Sequence, residues 1–286
     1  MSVKRAVIPA AGAGIRLLMA TKEMPKEMLP VFARGVDGRL LLKPTLQVIF
    51  ESLHGFGVSD FCILVGRSKR AVEDHFTPDA SFVTLLEKNG GQLLNELNEF
   101  YGKISTSNIM FVNQPTPRGF GDAVYRARIF TSTEPFLVHV GDDIILGQNN
   151  SHLQRLVNVF LETRGDAAFL VEKVEDPRQY GVISGTEVRP GTYEVLNIVE
   201  KPKEPRRSIA IVGVYAFTSR IFEAIEKVEP DESGEVQLTD AIMNLIADGR
   251  KVYAIELIGN ERRIDIGTPA SYWNALKETL QASTGV

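Results

Sequence analysis

Four short apolar runs, at residues 6–8, 61–65, 109–112 and 136–140, alternate along the first half of the chain with stretches of helical spacing at 44–56, 68–75 and 123–130. Apolar runs of this length suit strands covered on both faces, and strands alternating with helices build a mainly parallel sheet between two helix layers. Parallel crossovers are right-handed, so the loops after such strands collect on one edge, where ligands of open α/β sheets bind. The pattern thus predicts both an α/β class and the place where chemistry belongs. Residues 79–102 read differently. The pairs Leu85-Leu86 and Leu93-Leu94, with Leu97, suggest a helical excursion outside the sheet, broken at Gly90-Gly91.

Beyond residue 140 the chain turns strand-rich, at 167–174, 180–184, 194–199 and 210–217, and helical spacing returns at 219–228, 236–247 and 268–280. No linker, repeat or low-complexity tract divides it, and 286 residues with 44% hydrophobic content can bury the core of one continuous domain. We expect a single domain over 1–286, its first half ending at about residue 145 and its second, from about 146, wrapping a sugar-sized ligand. Lys and Arg total 32 against 36 Asp and Glu, and a net charge of −4 is a poor surface for gripping a nucleic-acid backbone. The one cysteine, Cys62, excludes an intrachain disulfide and a cysteine-based zinc site, and its apolar run reads as a buried, inert thiol. The N-terminal stretch lacks the layout of a secretory signal, and no run reaches the roughly 18 apolar residues of a membrane helix. The expectation is a soluble, cytoplasmic protein without a membrane partner.

After the first strand comes Ala10-Ala11-Gly12-Ala13-Gly14-Ile15-Arg16, then Lys22-Glu23-Met24-Pro25-Lys26-Glu27-Met28-Leu29-Pro30. Small residues at Ala11, Gly12, Ala13 and Gly14 expose backbone N–H groups that can cradle phosphate oxygens. A dinucleotide fingerprint requires Gly or Ala at position 17, where Leu17 stands, and the Walker pattern requires a Gly-Lys-Ser/Thr that is missing. What remains distinctive is the cationic train Arg16, Lys22 and Lys26, suited to a triphosphate. The glycines alone would read as an ordinary turn; the whole string does not.

Gly141-Asp142-Asp143 ends an apolar strand, and Asp265 stands between Ile264 and Ile266. Hard cations such as Mg²⁺ take one or two carboxylates plus substrate phosphates. Glu200-Lys201-Pro202 offers a point charge for a monophosphate and a carboxylate for hydroxyl groups. In the segment from Gln114 to Ala123, Gln114 carries both a donor and an acceptor for a pyrimidine edge, and the glycines, Gly119 among them, let backbone approach a flat base. Residues 237–247 read mainly as a packed helix, with Gly234 and Glu235 near substrate. His54, His75, His139 and His152 show no metal-ligand spacing and stay outside the site.

These motifs, with Tyr180-Gly181-Val182, Gly234 to Ala241 and Asp265-Ile266-Gly267-Thr268-Pro269, resemble in their order the signature of sugar-1-phosphate nucleotidylyltransferases. Pro25-Lys26-Glu27-Met28-Leu29-Pro30 is most similar to the bacterial UTP–glucose-1-phosphate uridylyltransferase group. The resemblance implies a Rossmann-like, mixed, mainly parallel sheet flanked by helices, of the nucleotide-diphospho-sugar transferase type. It implies transfer of a uridylyl group from UTP to glucose 1-phosphate with Mg²⁺ as cofactor, in a homodimer or homotetramer. Carried over, Arg16, Lys26, Asp142 and Lys201 are catalytic, and Asp142 and Asp265 hold the metal. Ala11, Gly12, Ala13, Gly14, Glu27, Gln114 and Gly119 take the nucleotide in the first half; Gly181, Glu200 and Lys201 take the sugar phosphate in the second. The chain departs from the pattern at Ile15, Met19 and Asp122, where Thr, Pro and His are usual. Ile15 deletes a hydroxyl beside the phosphates, and Asp122 brings a charge near the nucleoside. A thymidylyltransferase, an enzyme of another sugar 1-phosphate, and a non-catalytic nucleotide-sugar binder stay open as alternatives.

Overall fold

Strand β1 (Arg5–Pro9) shows why a two-sided sheet forms. Ala6 and Ile8 lie in one buried cluster and Val7 in another, because successive side chains of a strand point to opposite faces. A computed structural model describes residues 3–89, 91–204 and 208–284; Gly90, half of the expected break, lies outside the described residues. The further strands are β2 (Pro30–Arg34), β3 (Leu40–Pro44), β4 (Asp60–Val65), β5 (Asn108–Asn113), β6 (Phe136–His139), β7 (Asp143–Leu146), β8 (Ala167–Lys173), β9 (Gly181–Arg189), β10 (Thr192–Glu200), β11 (Ile209–Phe217), β12 (Val252–Glu256) and β13 (Arg262–Asp265).

Nine of them form one sheet in the order β5-β4-β1-β6-β11-β8-β12-β10-β9. Strands β5, β4, β1 and β6 are parallel, β11 runs against β6 and β8, and β8 and β12 are parallel again. The β9–β10 hairpin completes the far side, and β9 returns to touch β11 at Val182. One face is covered by the helices Thr45–Phe56 and Ser151–Thr163, the other by Gly119–Arg126, Arg220–Glu226 and Leu238–Ala247. The expected mixed, mainly parallel sheet between helices is therefore present. Cys62 is fully buried within it, and burial pushes its thiol up to about 12.

The helical excursion lies outside the sheet as Ala80–Lys88 and Leu94–Ser105, and the first of these buries none of its side chains. The helix expected from residue 123 begins earlier, at Gly119, so the glycine segment after Gln114 is already helical. Four features go beyond the expected elements: the β2–β3 hairpin, a separate β7–β13 ladder, the helix Ser151–Thr163 and strand β12. Among the described residues no helix is long and apolar enough to cross a membrane. The carboxyl ends of β1, β4, β5 and β6 deliver Ala10, Gly66, Gln114 and Gly141 to one edge, where the pattern placed the chemistry.

Candidate active site

The loop after β1 turns at Gly14, whose φ of 63° is left-handed, and passes into a single 3-10 turn, Ile15–Leu17. A Cβ at Gly14 would also stand 3.0 Å from the Thr21 hydroxyl, which donates to Gly14 O at 3.1 Å. Ala11, Gly12, Ala13 and Gly14 line a cavity of about 490 Å³ together with Arg16 and Lys26. Arg16 is exposed, whereas Lys26 donates its ammonium to Asp142 Oδ2. Burial alone would lower the Lys26 pKa, but the charges of Asp142, Glu27 and Asp143 outweigh it and keep the cation on.

Glu27 also lines this cavity, yet it is only 1% exposed and its Oε2 accepts from Lys69 Nζ at 2.7 Å. Burial pushes its carboxyl up against the opposing pull of Lys69 and Lys26. Gln114 sits in the same wall, its Nε2 donating to Asp122 Oδ2 at 2.8 Å. Gly119 lines the cavity with a φ of 92°, but a Cβ there would lie 2.7 Å from Val236 O. Gly121 N donates to that same carbonyl at 2.8 Å. The close approach these glycines permit is made first to the Val236 backbone.

Asp142, Val140, Phe120 and Glu235 line both this cavity and a second one of about 330 Å³. Gly181, Glu200 and Lys201 line the second, and the β9–β10 register sets Glu200 opposite Gly181. Glu200 Oε2 accepts from Thr239 Oγ1 at 3.2 Å, and Lys201 Nζ lies 3.5 Å from Glu200 Oε1. Lys201 has a φ of 42°, left-handed for a residue with a side chain, and its N–H donates to Tyr180 O at 3.0 Å. Such a conformation costs roughly 1–3 kcal/mol and gathers at functional sites.

The β7–β13 ladder sets Asp265 directly opposite Asp143. Arg263, two residues earlier, donates from Nε to Glu172 Oε1 at 2.8 Å and places Nη1 3.6 Å from Asp143 Oδ2. Its guanidinium carbon lies 4.3 Å from the centroid of the Tyr180 ring. Burial, and then the charges of Asp142 and Asp265, push the Asp143 carboxyl up, with Arg263 pulling the other way. Three carboxylates thus meet, but Asp143 is engaged by Arg263 and one oxygen of Asp142 by Lys26. Among the described residues no group of three or more His, Cys, Asp or Glu side chains forms a ready metal cage. Asp142 and Asp265, facing the cavities, match instead the sparse carboxylate set with which a hard cation binds beside phosphate.

Of the site residues expected from the sequence, all line one of two adjoining cavities except Lys22, which pairs with Glu23 at 3.6 Å, and Gly234. Lys69, Arg263, Thr239 and Phe120 escaped the sequence reading. Lys69 and Arg263 lie in charged runs, Ser68-Lys69-Arg70 and Glu261-Arg262-Arg263, that look like solvated surface. A further cavity of about 760 Å³ lies elsewhere, against the Ala80–Lys88 and Leu94–Ser105 helices. Of the polar side chains that line it, Lys43 pairs with Glu51 and Glu96, and His75 with Gln47.

A family model for nucleotidyl transferases matches residues 5–282. A UTP–glucose-1-phosphate uridylyltransferase of Staphylococcus haemolyticus is 39% identical over 283 residues, covering 98% of this chain and 92% of that protein. A protein of the same name from Staphylococcus epidermidis is 38% identical with the same coverage. A crystal structure of UDP-glucose pyrophosphorylase complexed with UDP-glucose matches with a TM-score of 0.83 at 29% identity, over 98% of this chain and 99% of that one. The UTP-bound enzyme from Acinetobacter baumannii gives 0.83 at 26% identity, over 97% and 93%.

Proposed function

The chain belongs to the nucleotidyl transferase family, and we propose that it transfers a uridylyl group from UTP to glucose 1-phosphate, giving UDP-glucose and pyrophosphate. The observation that carries this reading is the joining of the two cavities at Asp142, Val140, Phe120 and Glu235. One end offers a phosphate loop and Gln114, the other Gly181, Glu200 and Lys201, so a nucleotide and a sugar phosphate would meet at the carboxylates.

The attacking group needs no protein base, because a phosphomonoester already carries an ionised oxygen, its second pKa lying near 6. That oxygen forms a bond to the α-phosphorus while the bridge to the β-phosphate breaks and pyrophosphate leaves. The obstacle is repulsion between two anions, and catalysis consists of in-line positioning and charge neutralisation. In this reading the backbone N–H groups of Ala11 to Gly14 hold the triphosphate, and Arg16 and Lys26 stabilise the α-phosphate and the departing pyrophosphate. Lys201 aims the sugar phosphate, Glu200 takes sugar hydroxyls, Gln114 and Gly119 meet the base, and Glu27 backs the base pocket through Lys69. Members of the family generally use a divalent metal; Asp142 and Asp265 would hold Mg²⁺, which when bound supplies further neutralisation of phosphate charge.

The division into a nucleotide half to about residue 145 and a sugar half beyond it belongs to the same proposal, with Glu235 and Asp265 of the second half reaching the junction. So do a cytoplasmic location and a homodimer or homotetramer, the latter supported by the exposed apolar Leu42, Phe82 and Leu85 around the remote cavity. Sedimentation at micromolar concentration reads the oligomer. Pyrophosphate release, measured with Mg²⁺ over a matrix of UTP, dTTP and CTP against glucose and galactose 1-phosphates, tests the reaction. UTP with glucose 1-phosphate should give the highest kcat/KM. A dTTP optimum would move the assignment to thymidylyl transfer, and no release from any pair would reduce the chain to a binding protein.

A further inference from the structure

Both hydrogens of the Gln114 side-chain amide are already taken. Nε2 donates to Asp122 Oδ2 at 2.8 Å and to Gly119 O at 3.4 Å. Turning the amide over would set Oε1 against a carboxylate and a carbonyl, two acceptors with no proton to offer. The carboxylate is itself pinned, its Oδ1 accepting from Arg118 Nη2 at 3.0 Å and Arg126 Nη2 at 3.3 Å. Asp122 and Gln114 are each 4% exposed, so water competes poorly for these bonds. Burial alone would raise the Asp122 pKa, but the hydrogen bonds from Gln114, Arg118 and Arg126 outweigh it and hold the carboxyl below its usual value. Asp122 is therefore an acceptor only. Among the described residues no donor is bonded to Gln114 Oε1, and the residue lines the nucleotide cavity.

We infer that Asp122 is a positioning residue that locks the Gln114 amide with Oε1 toward the nucleotide, so that this wall selects a base with a ring N–H, uracil or thymine, over cytosine. The inference rests on the proposed use of a pyrimidine nucleoside triphosphate. Uracil and thymine present N3–H to such an acceptor. Cytosine presents a bare lone pair at N3, and a buried acceptor facing an acceptor is left without its bond. Sites built to hydrogen-bond a substrate group reject the analogue lacking it more strongly than apolar pockets reject a misfit. The 5-methyl group lies away from N3, so the lock does not separate dTTP from UTP.

Equilibrium binding of UTP, dTTP and CTP by calorimetry tests this without requiring turnover, and UDP-glucose formation is followed alongside. The native protein should bind UTP more tightly than CTP. Asp122→Asn supplies a donor that lets the Gln114 amide turn, and should narrow the UTP-to-CTP ratio by about tenfold while leaving UTP against dTTP and the glucose 1-phosphate KM unmoved. Arg118→Ala, at an exposed residue, loosens the same carboxylate and should narrow the ratio by about twofold even if the first variant fails to fold. Equal binding of UTP and CTP by the native protein, or an unchanged ratio in the folded variants, overturns the lock. A UTP preference that falls with these substitutions in a protein forming no UDP-glucose would support the lock and sink the transfer reaction.

Discussion

In the cavity of about 490 Å³, the proposed nucleotide end, Arg16 stands exposed, and among the described residues no carboxylate pairs with it. In the cavity of about 330 Å³, the proposed sugar end, Arg263 is largely buried, held by Glu172 and Asp143 and stacked on Tyr180. The two guanidiniums carry the same charge at opposite ends of one cleft, but they face different competitors. Arg16 stands in water and, in the proposed reaction, would be open to an arriving phosphate. Arg263 has exchanged water for protein, so its charge is spent on fixing Asp143 and the Tyr180 loop. An exposed cation of this kind should matter to turnover and hardly to stability; a buried, engaged one should matter to both.

The junction provides the largest test. Asp142→Ala removes a carboxylate shared by both cavities and the partner of Lys26, and pyrophosphate release should fall by about a thousandfold. A fully active variant would remove Asp142 from the metal assignment. Next comes Arg263→Ala, which strands buried carboxylates; breaking such a pair costs about 3 kcal/mol, visible as a lowered midpoint in urea unfolding. Arg263→Lys should recover part of that loss without restoring the stacking on Tyr180. If the alanine variant unfolds like the native protein, the contrast between the two ends collapses.

Arg16→Ala should lower kcat by about a hundredfold, about 2.7 kcal/mol in the barrier, with an unchanged unfolding midpoint. A fall in stability comparable to that of Arg263→Ala would show that Arg16 is structural too. Smallest is Lys201→Ala, for which KM for glucose 1-phosphate should rise by about tenfold with a lesser fall in kcat and an unchanged KM for UTP. A selective rise in the UTP KM would place Lys201 at the wrong end.

Local sequence made the sheet strands β1, β4, β5 and β6 and the loops after them legible, since each announces itself by a run of neighbouring apolar residues. Arg16, Lys26, Asp142, Glu200 and Lys201 were equally readable as residues that gather along the two adjoining cavities. The helix Ser151–Thr163 had the information too, in Leu153, Leu156, Val157 and Phe160, and went unread. What local patterns do not carry is partnership across the chain. Strands β7 and β13 have four residues each, and only their pairing explains why Asp265 joins Asp143. Arg263 and Lys69 looked like solvated charges because their acidic partners, Glu172 and Glu27, lie far away in sequence. Gly119 and Gly121 were read as clearance for a base, whereas the backbone pressed against them is that of Val236.

The β7–β13 ladder also sets what kind of change this site can absorb. Side chains of a strand alternate with a period of two, so a slip of one residue in β13 would carry Asp265 to the opposite face and bring Ile264 or Ile266 opposite Asp143. The carboxylate is thus addressed by counting rather than by a local fold. Within β13 the count is therefore fixed, because a residue gained or lost between Arg262 and Asp265 moves the carboxylate off its place.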